Sequence, residues 1–74
     1  MVRMGMDIEF PGPPPFYVRA VDQGYKFVFE TAPENDFIVP TEDVKNNATR
    51  FNLNAVQRRA LDDFHDFGKS KSHW

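Results

Sequence analysis

The stretch Phe16-Tyr17-Val18-Arg19-Ala20-Val21-Asp22-Gln23-Gly24-Tyr25-Lys26-Phe27-Val28-Phe29 decides the fold. Two runs of β-branched and aromatic residues flank a short glycine-containing turn, which is the composition of a β-hairpin. Two registers compete. A three-residue loop Asp22-Gln23-Gly24, with Gly24 in the left-handed region, pairs Val21 with Tyr25 and places Tyr17, Arg19, Phe27 and Phe29 on one face. A two-residue Gln23-Gly24 loop instead gathers Phe16, Val18, Ala20, Tyr25, Phe27 and Phe29 on one face. Both bury Phe27 and Phe29, so those two belong to the core in either case.

Working outward, Met4, Met6, Ile8 and Phe10 alternate with Gly5, Asp7 and Glu9, the period of a half-buried strand. Pro11-Gly12-Pro13-Pro14-Pro15 ends it, because proline cannot donate to a ladder. On the other side Ala32-Pro33-Glu34-Asn35-Asp36 is a loop by composition, and Phe37-Ile38-Val39 is a short apolar run closed by Pro40. Thr41, followed by Glu42 and Asp43, predicts the start of a short helix near 41–47, with the hydroxyl as cap. The main helix is expected near 53–67. Leu53, Val56, Ala60, Leu61, Phe64 and Phe67 form its apolar stripe, Phe51 and Asn52 supply staple and cap, and Gly68 ends it. These elements predict an α+β fold: a three- or four-stranded antiparallel sheet against one main helix, with a short extra helix. Residues 1–68 form the single domain, and 69–74 are expected to fray as a tail.

At 74 residues the chain is one domain with a small core. It has no cysteine, so disulfides and thiolate metal sites are excluded. Eight Phe, two Tyr and one Trp must stabilise it instead, because aromatics bury the most area per residue. No apolar run approaches the ~20 residues of a membrane span. The opening MVRMGMDIEF lacks the apolar stretch of a secretory signal. A cytoplasmic location is the expectation. The net charge is −2, with the basic groups concentrated in residues 38–74, so a strongly basic nucleic-acid binder is not indicated.

Chemistry-bearing patterns are few. Pro14-Pro15-Phe16-Tyr17 fits the PPxY pattern of peptides that dock in WW domains. It also lies where one strand ends and the next begins, so a stiff joint between strands is the better reading. Asp62, His65 and Asp66 share one helical side and could hold a divalent metal, yet no second cluster completes a shell. Exposed pairs such as Arg58 with Asp62 explain the same residues as a solvated face. Ser70 and Ser72, the only serines, sit in the expected tail, two histidines near the C-terminus give little material for a base–nucleophile pair, and no glycine-rich phosphate loop occurs. Neither an enzyme nor a cofactor site is expected.

What remains is binding. Tyr17, Arg19 and Tyr25 could present an aromatic, basic patch on the sheet, and Arg58 and Arg59 a second one on the main helix; these are the residue types that anchor interfaces. The expected function is a small non-enzymatic protein-binding module, a regulator or inhibitor of the phage or plasmid type. Its partner would be a larger protein or a second copy. The alternative is a nucleic-acid-binding module that uses Arg50, Arg58, Arg59, Lys69 and Lys71.

Overall fold

The structure is a computed structural model, and it describes residues 7–48 and 52–72. Four antiparallel strands form a meander in chain order: β1 (Ile8–Phe10), β2 (Phe16–Val21), β3 (Gly24–Val28) and β4 (Phe37–Val39). Two helices follow, α1 (Thr41–Lys45) and α2 (Ala55–Ser70). The α+β architecture expected from the hydrophobic periodicity is the one observed. The first expected strand begins at Ile8; Met4 and Met6 lie outside the described residues.

The hairpin adopts neither expected loop. Val21 pairs with Gly24, Ala20 with Tyr25, Arg19 with Lys26, Val18 with Phe27 and Tyr17 with Val28, so the turn is Asp22-Gln23. This register is shifted by two residues from the Gln23-Gly24 alternative. A shift by two preserves which side chains share a face, so Phe16, Val18, Tyr25 and Phe27 still point to one side. Gly24 is therefore a strand residue rather than a turn residue. Its φ of +143° is one that residues with side chains rarely adopt. A Cβ there would also run into the Val39 carbonyl oxygen, Pro40 and the Thr41 backbone nitrogen. Glycine is required by the passage of the β4–α1 junction, not by the turn.

The inner face of the sheet carries Ile8 and Phe10 from β1, Phe16 and Val18 from β2, Tyr25 and Phe27 from β3, and Phe37 and Val39 from β4. Phe29, just past β3, joins them. α2 lays Ala60, Leu61 and Phe64 into this layer, and Val44 from α1 completes it. Phe64 is the central knob, meeting Phe27 edge-on at 5.6 Å, Tyr25 at 4.9 Å and Phe10 at 6.2 Å between ring centroids. Phe27 and Phe29, the two core residues common to both expected registers, are 0% and 1% exposed. Each such ring contributes roughly 1.5–3 kcal/mol by leaving water.

Polar contacts fix the helices on this layer. Asn54, not Asn52, caps α2: its Oδ1 accepts from the Gln57 backbone N–H at 2.8 Å, and the Gln57 Oε1 accepts from the Asn54 N–H at 3.0 Å. This reciprocal box satisfies two orphan donors of the first turn, which an Asn52 cap two residues earlier would leave open. The Asn54 and Gln57 amides also donate to Asn35, in a 3-10 turn spanning Pro33–Asn35. The expected staple involves Phe51, which lies outside the described residues. Leu53 precedes the helix but still packs on the core. α1 has no side-chain cap: Pro40 stands at the N-cap position, Thr41, expected as the cap, is the first helical residue, and the helix ends at Lys45 rather than near 47. α2 runs through the buried Gly68 to Ser70, so Lys69 and Ser70, expected in the tail, are helical. The left-handed residue that closes α2 is Ser72, at φ +61°, and its N–H donates to the Lys69 carbonyl.

Candidate functional site

Because α1 and α2 both cover the inner face, the outer face of the sheet carries no layer among the described residues. Strand alternation places Asp7 and Glu9, then Tyr17 and Arg19, then Lys26 and Val28, and last Ile38 on that side. Ile38 is the exposed large hydrophobic residue of the described chain, at 40%. Its neighbour across the ladder is Lys26.

Arg19 is held in place. Its Nε and Nη2 donate to the two Asp7 carboxylate oxygens, each at 3.2 Å, in a fork-to-fork pair. Its Cζ lies 5.5 Å from the Tyr17 ring centroid, a cation–π distance. The Asp7 side chain is 4% exposed and that of Arg19 is 41% exposed, so the anion is covered while the cation stays partly open to solvent. The hydrogen bond to Asp7, reinforced by its charge, holds the Arg19 pKa above its ordinary value. The guanidinium, the Tyr17 ring and the Ile38 side chain thus stand on one open, largely preorganised surface.

At the other end of this face lies a hollow of about 130 Å³ lined by Glu9, Phe10, Pro15, Phe16, Tyr17, Glu30 and Thr31. It adjoins the PPxY residues and explains what they do here. Phe16 is 5% exposed and pairs with Phe10 across β1, with rings stacked at 4.8 Å. Tyr17 is laddered on both sides, to Glu9 and to Val28. Docking these residues in a WW groove would strip β2 from the middle of the sheet. The stretch serves as the joint between β1 and β2.

The expected binding residues are divided between the two sides of the molecule. Tyr17 and Arg19 come together as anticipated. Tyr25 does not join them: it faces inward, against Phe64, because it shares a side with Phe27 and the register places that side with Val18 rather than with Tyr17 and Arg19. Arg58 and Arg59 are on α2, on the opposite side of the sheet. Arg58 is committed to structure, donating to Asp62 Oδ1 at 2.6 Å, to the Asn47 side chain and to the Asn47 carbonyl at 3.3 Å, which ties α2 to the end of α1. The same hydrogen bond holds the Asp62 carboxyl below its ordinary pKa, assisted by Asn47 and by the charges of Arg58 and His65 and opposed by partial burial. Arg59 is exposed. Of the basic residues in the nucleic-acid alternative, Arg50 lies outside the described residues, and Lys71 rests 5.9 Å from the Phe67 ring centroid.

The helical side of Asp62, His65 and Asp66 serves structure. His65 Nδ1 lies 2.8 Å from the Val44 carbonyl oxygen, joining α2 to α1, while Asp62 faces Arg58. Among the described residues no group of three His, Cys, Asp or Glu side chains could hold a metal ion. No helix among them is long and apolar enough to cross a membrane.

Sequence reasoning passed over Asp7, Lys26 and Ile38. The outward parity of Lys26 and Asp7 was visible, because Phe27 is buried in either register and Asp7 alternates with Ile8 and Phe10, but only the alignment of the strands brings them onto one surface with Ile38. Comparisons of the chain with protein families, with curated proteins and with solved structures find no match.

Proposed function

We propose that this chain is a small, non-enzymatic protein-binding module that acts in the cytoplasm as a regulator or inhibitor of a larger protein, and that it docks through the outer face of its sheet. The observation that carries this reading is the uncovered face itself: Ile38 exposed beside Lys26, with Arg19 pre-positioned by Asp7 and Tyr17. Aromatic and arginine side chains already fixed in place lose little entropy on binding, which is what anchors an interface. Arg58 supports the alternative, nucleic-acid binding, less well, since its guanidinium already serves Asp62 and Asn47.

The test is capture of a partner from an extract of the native host by the tagged chain. Tyr17→Ala and Ile38→Asp should each weaken capture by about tenfold, the size of a 1.4 kcal/mol anchor, with the circular dichroism spectrum unchanged. Arg59→Ala, on the other side of the molecule, should leave capture unaltered. Capture that survives both outer-face substitutions refutes the assignment of the surface.

A further inference from the structure

One row of the outer face crosses β2, β3 and β4 in register: Arg19 stands opposite Lys26, and Lys26 opposite Ile38. Arg19 beside Lys26 is a like-charge pair, which is unfavourable in an isolated sheet. Asp7 compensates Arg19 from the β1 side, away from Lys26. On the β4 side the acid before the strand is Asp36, whose Oδ1 accepts from the Phe29 backbone N–H at 2.7 Å. Among the described residues Lys26 enters no ion pair. The next row toward the turn holds Val21 and Gly24, with Pro40 against Gly24, and the row on the other side holds Tyr17 and Val28. Lys26 is therefore a cation whose ladder neighbours are a second cation and an exposed isoleucine, between two rows that bring no anion to β3.

We infer that the protein docking on this face presents a carboxylate next to an aliphatic side chain, with the carboxylate between Lys26 and Arg19 and the aliphatic group on Ile38. The inference rests on the reading that the outer face is a docking surface, and it names the chemistry of the partner. Neighbouring strands are about 4.8 Å apart, so one carboxylate reaches both cations. It removes their mutual repulsion, and Arg19 has N–H groups to give it beyond those that Asp7 accepts. From the middle of the Arg19–Lys26 pair to Ile38 is one and a half strand spacings, roughly 7 Å. Residues two apart in an extended chain share a side and are also roughly 7 Å apart, so an acid-x-aliphatic segment laid across the strands places both groups at once. A single uncompensated cation beside an exposed isoleucine suits such a segment. An anionic membrane is held by clusters of roughly four to eight Lys and Arg, and a nucleic acid by several phosphate contacts.

The test titrates the nitrogen-15-labelled full chain with a capped Ser-Glu-Ser-Leu-Ser peptide and with its counterparts carrying Gln or Lys in place of Glu. Amide signals and the Arg19 Nε–H signal are followed by NMR over ~0.1 to ~10 mM peptide, the range of weak contacts. The Glu peptide should shift the signals of Lys26, Ile38 and Arg19 and approach saturation. The Gln peptide should bind about two- to fivefold more weakly, the worth of an exposed ion pair, and the Lys peptide more weakly again. Added salt should erase the difference. Lys26→Glu should reverse the order of the Glu and Lys peptides, and Lys26→Gln should remove most of the preference for Glu over Gln. The amide spectrum shows whether each variant is folded, and Lys26→Gln, the milder change, carries the test if Lys26→Glu is not. No saturable shift of these signals with the Glu peptide overturns the inference, as does equal affinity for all three peptides or a preference that survives Lys26→Gln. Shifts of the same signals with phosphatidylserine vesicles or oligothymidine, and none with the Glu peptide, overturn it in favour of a lipid or a nucleic acid. Capture from host extract tests the surface separately. Capture that is lost in Ile38→Asp, with no preference among the peptides, keeps the docking surface and removes the acidic partner.

Discussion

Replacing Gly24 by alanine should be among the most damaging single-methyl changes in this molecule. Two costs add. The backbone at φ +143° is in a region that a Cβ makes unfavourable, worth about 1–3 kcal/mol. The new methyl would also meet backbone atoms of Val39, Pro40 and Thr41. Backbone cannot rotate aside as a side-chain tip can, so β4 and the start of α1 must shift away from β3. Overpacking of that kind costs about 1–3 kcal/mol. The sum, roughly 2–6 kcal/mol, compares with a total stability of roughly 4–11 kcal/mol for a chain of this length. Urea unfolding followed by circular dichroism at 25 °C measures it. Gln23→Ala, one residue earlier in the exposed turn, is the control and should stay within about 0.5 kcal/mol of the parent. Gly24→Asn should do no better than Gly24→Ala, because φ +143° lies outside the left-handed region at about +57° that asparagine tolerates and the contacts with the β4–α1 junction remain. A Gly24→Ala loss below about 1 kcal/mol would refute the close-approach argument.

Two further measurements probe the helix contacts. Asn54→Ala should cost about 1–2 kcal/mol through loss of the capping box and the bond to Asn35, whereas Asn52→Ala should be near neutral; equal losses would contradict the cap position. Asp62→Asn tests linkage at the Arg58 pair. Its folded-state pKa is depressed, so the carboxylate's contribution is present above the ordinary value near ~4 and disappears as pH falls through the lower folded value. The pair is partly solvated, so the parent should exceed Asp62→Asn by less than about 1 kcal/mol at pH 7, with the gap closing toward pH 2. A gap independent of pH would mean that packing, not charge, accounts for the effect.

The outer-face residues show how far a pattern reading reaches into the candidate site. Tyr17 and Arg19 were assignable together because residues two apart in a strand always share a side. Tyr25 was misplaced with them because its side depends on the partner strand. Asp7 could not be tied to Arg19 from sequence: they are twelve residues apart, and only the β1–β2 pairing brings the carboxylate under the guanidinium. Lys26 and Ile38 passed unnoticed for the same reason, since each becomes part of a surface only when three strands are aligned.

Read alone, the chain determined the element order, the α+β class, the apolar stripe of the main helix and the core status of Phe27 and Phe29. Those features follow from periodicity and composition, which are local. The hairpin register, the cap at Asn54, the helical course past Gly68 and the true demand on Gly24 were decided by tertiary structure. Each depends on a partner distant in sequence: β4 and the start of α1 against Gly24, the 3-10 turn against Asn54. Local preference admits several answers at such positions, and the packing of distant backbone selects one.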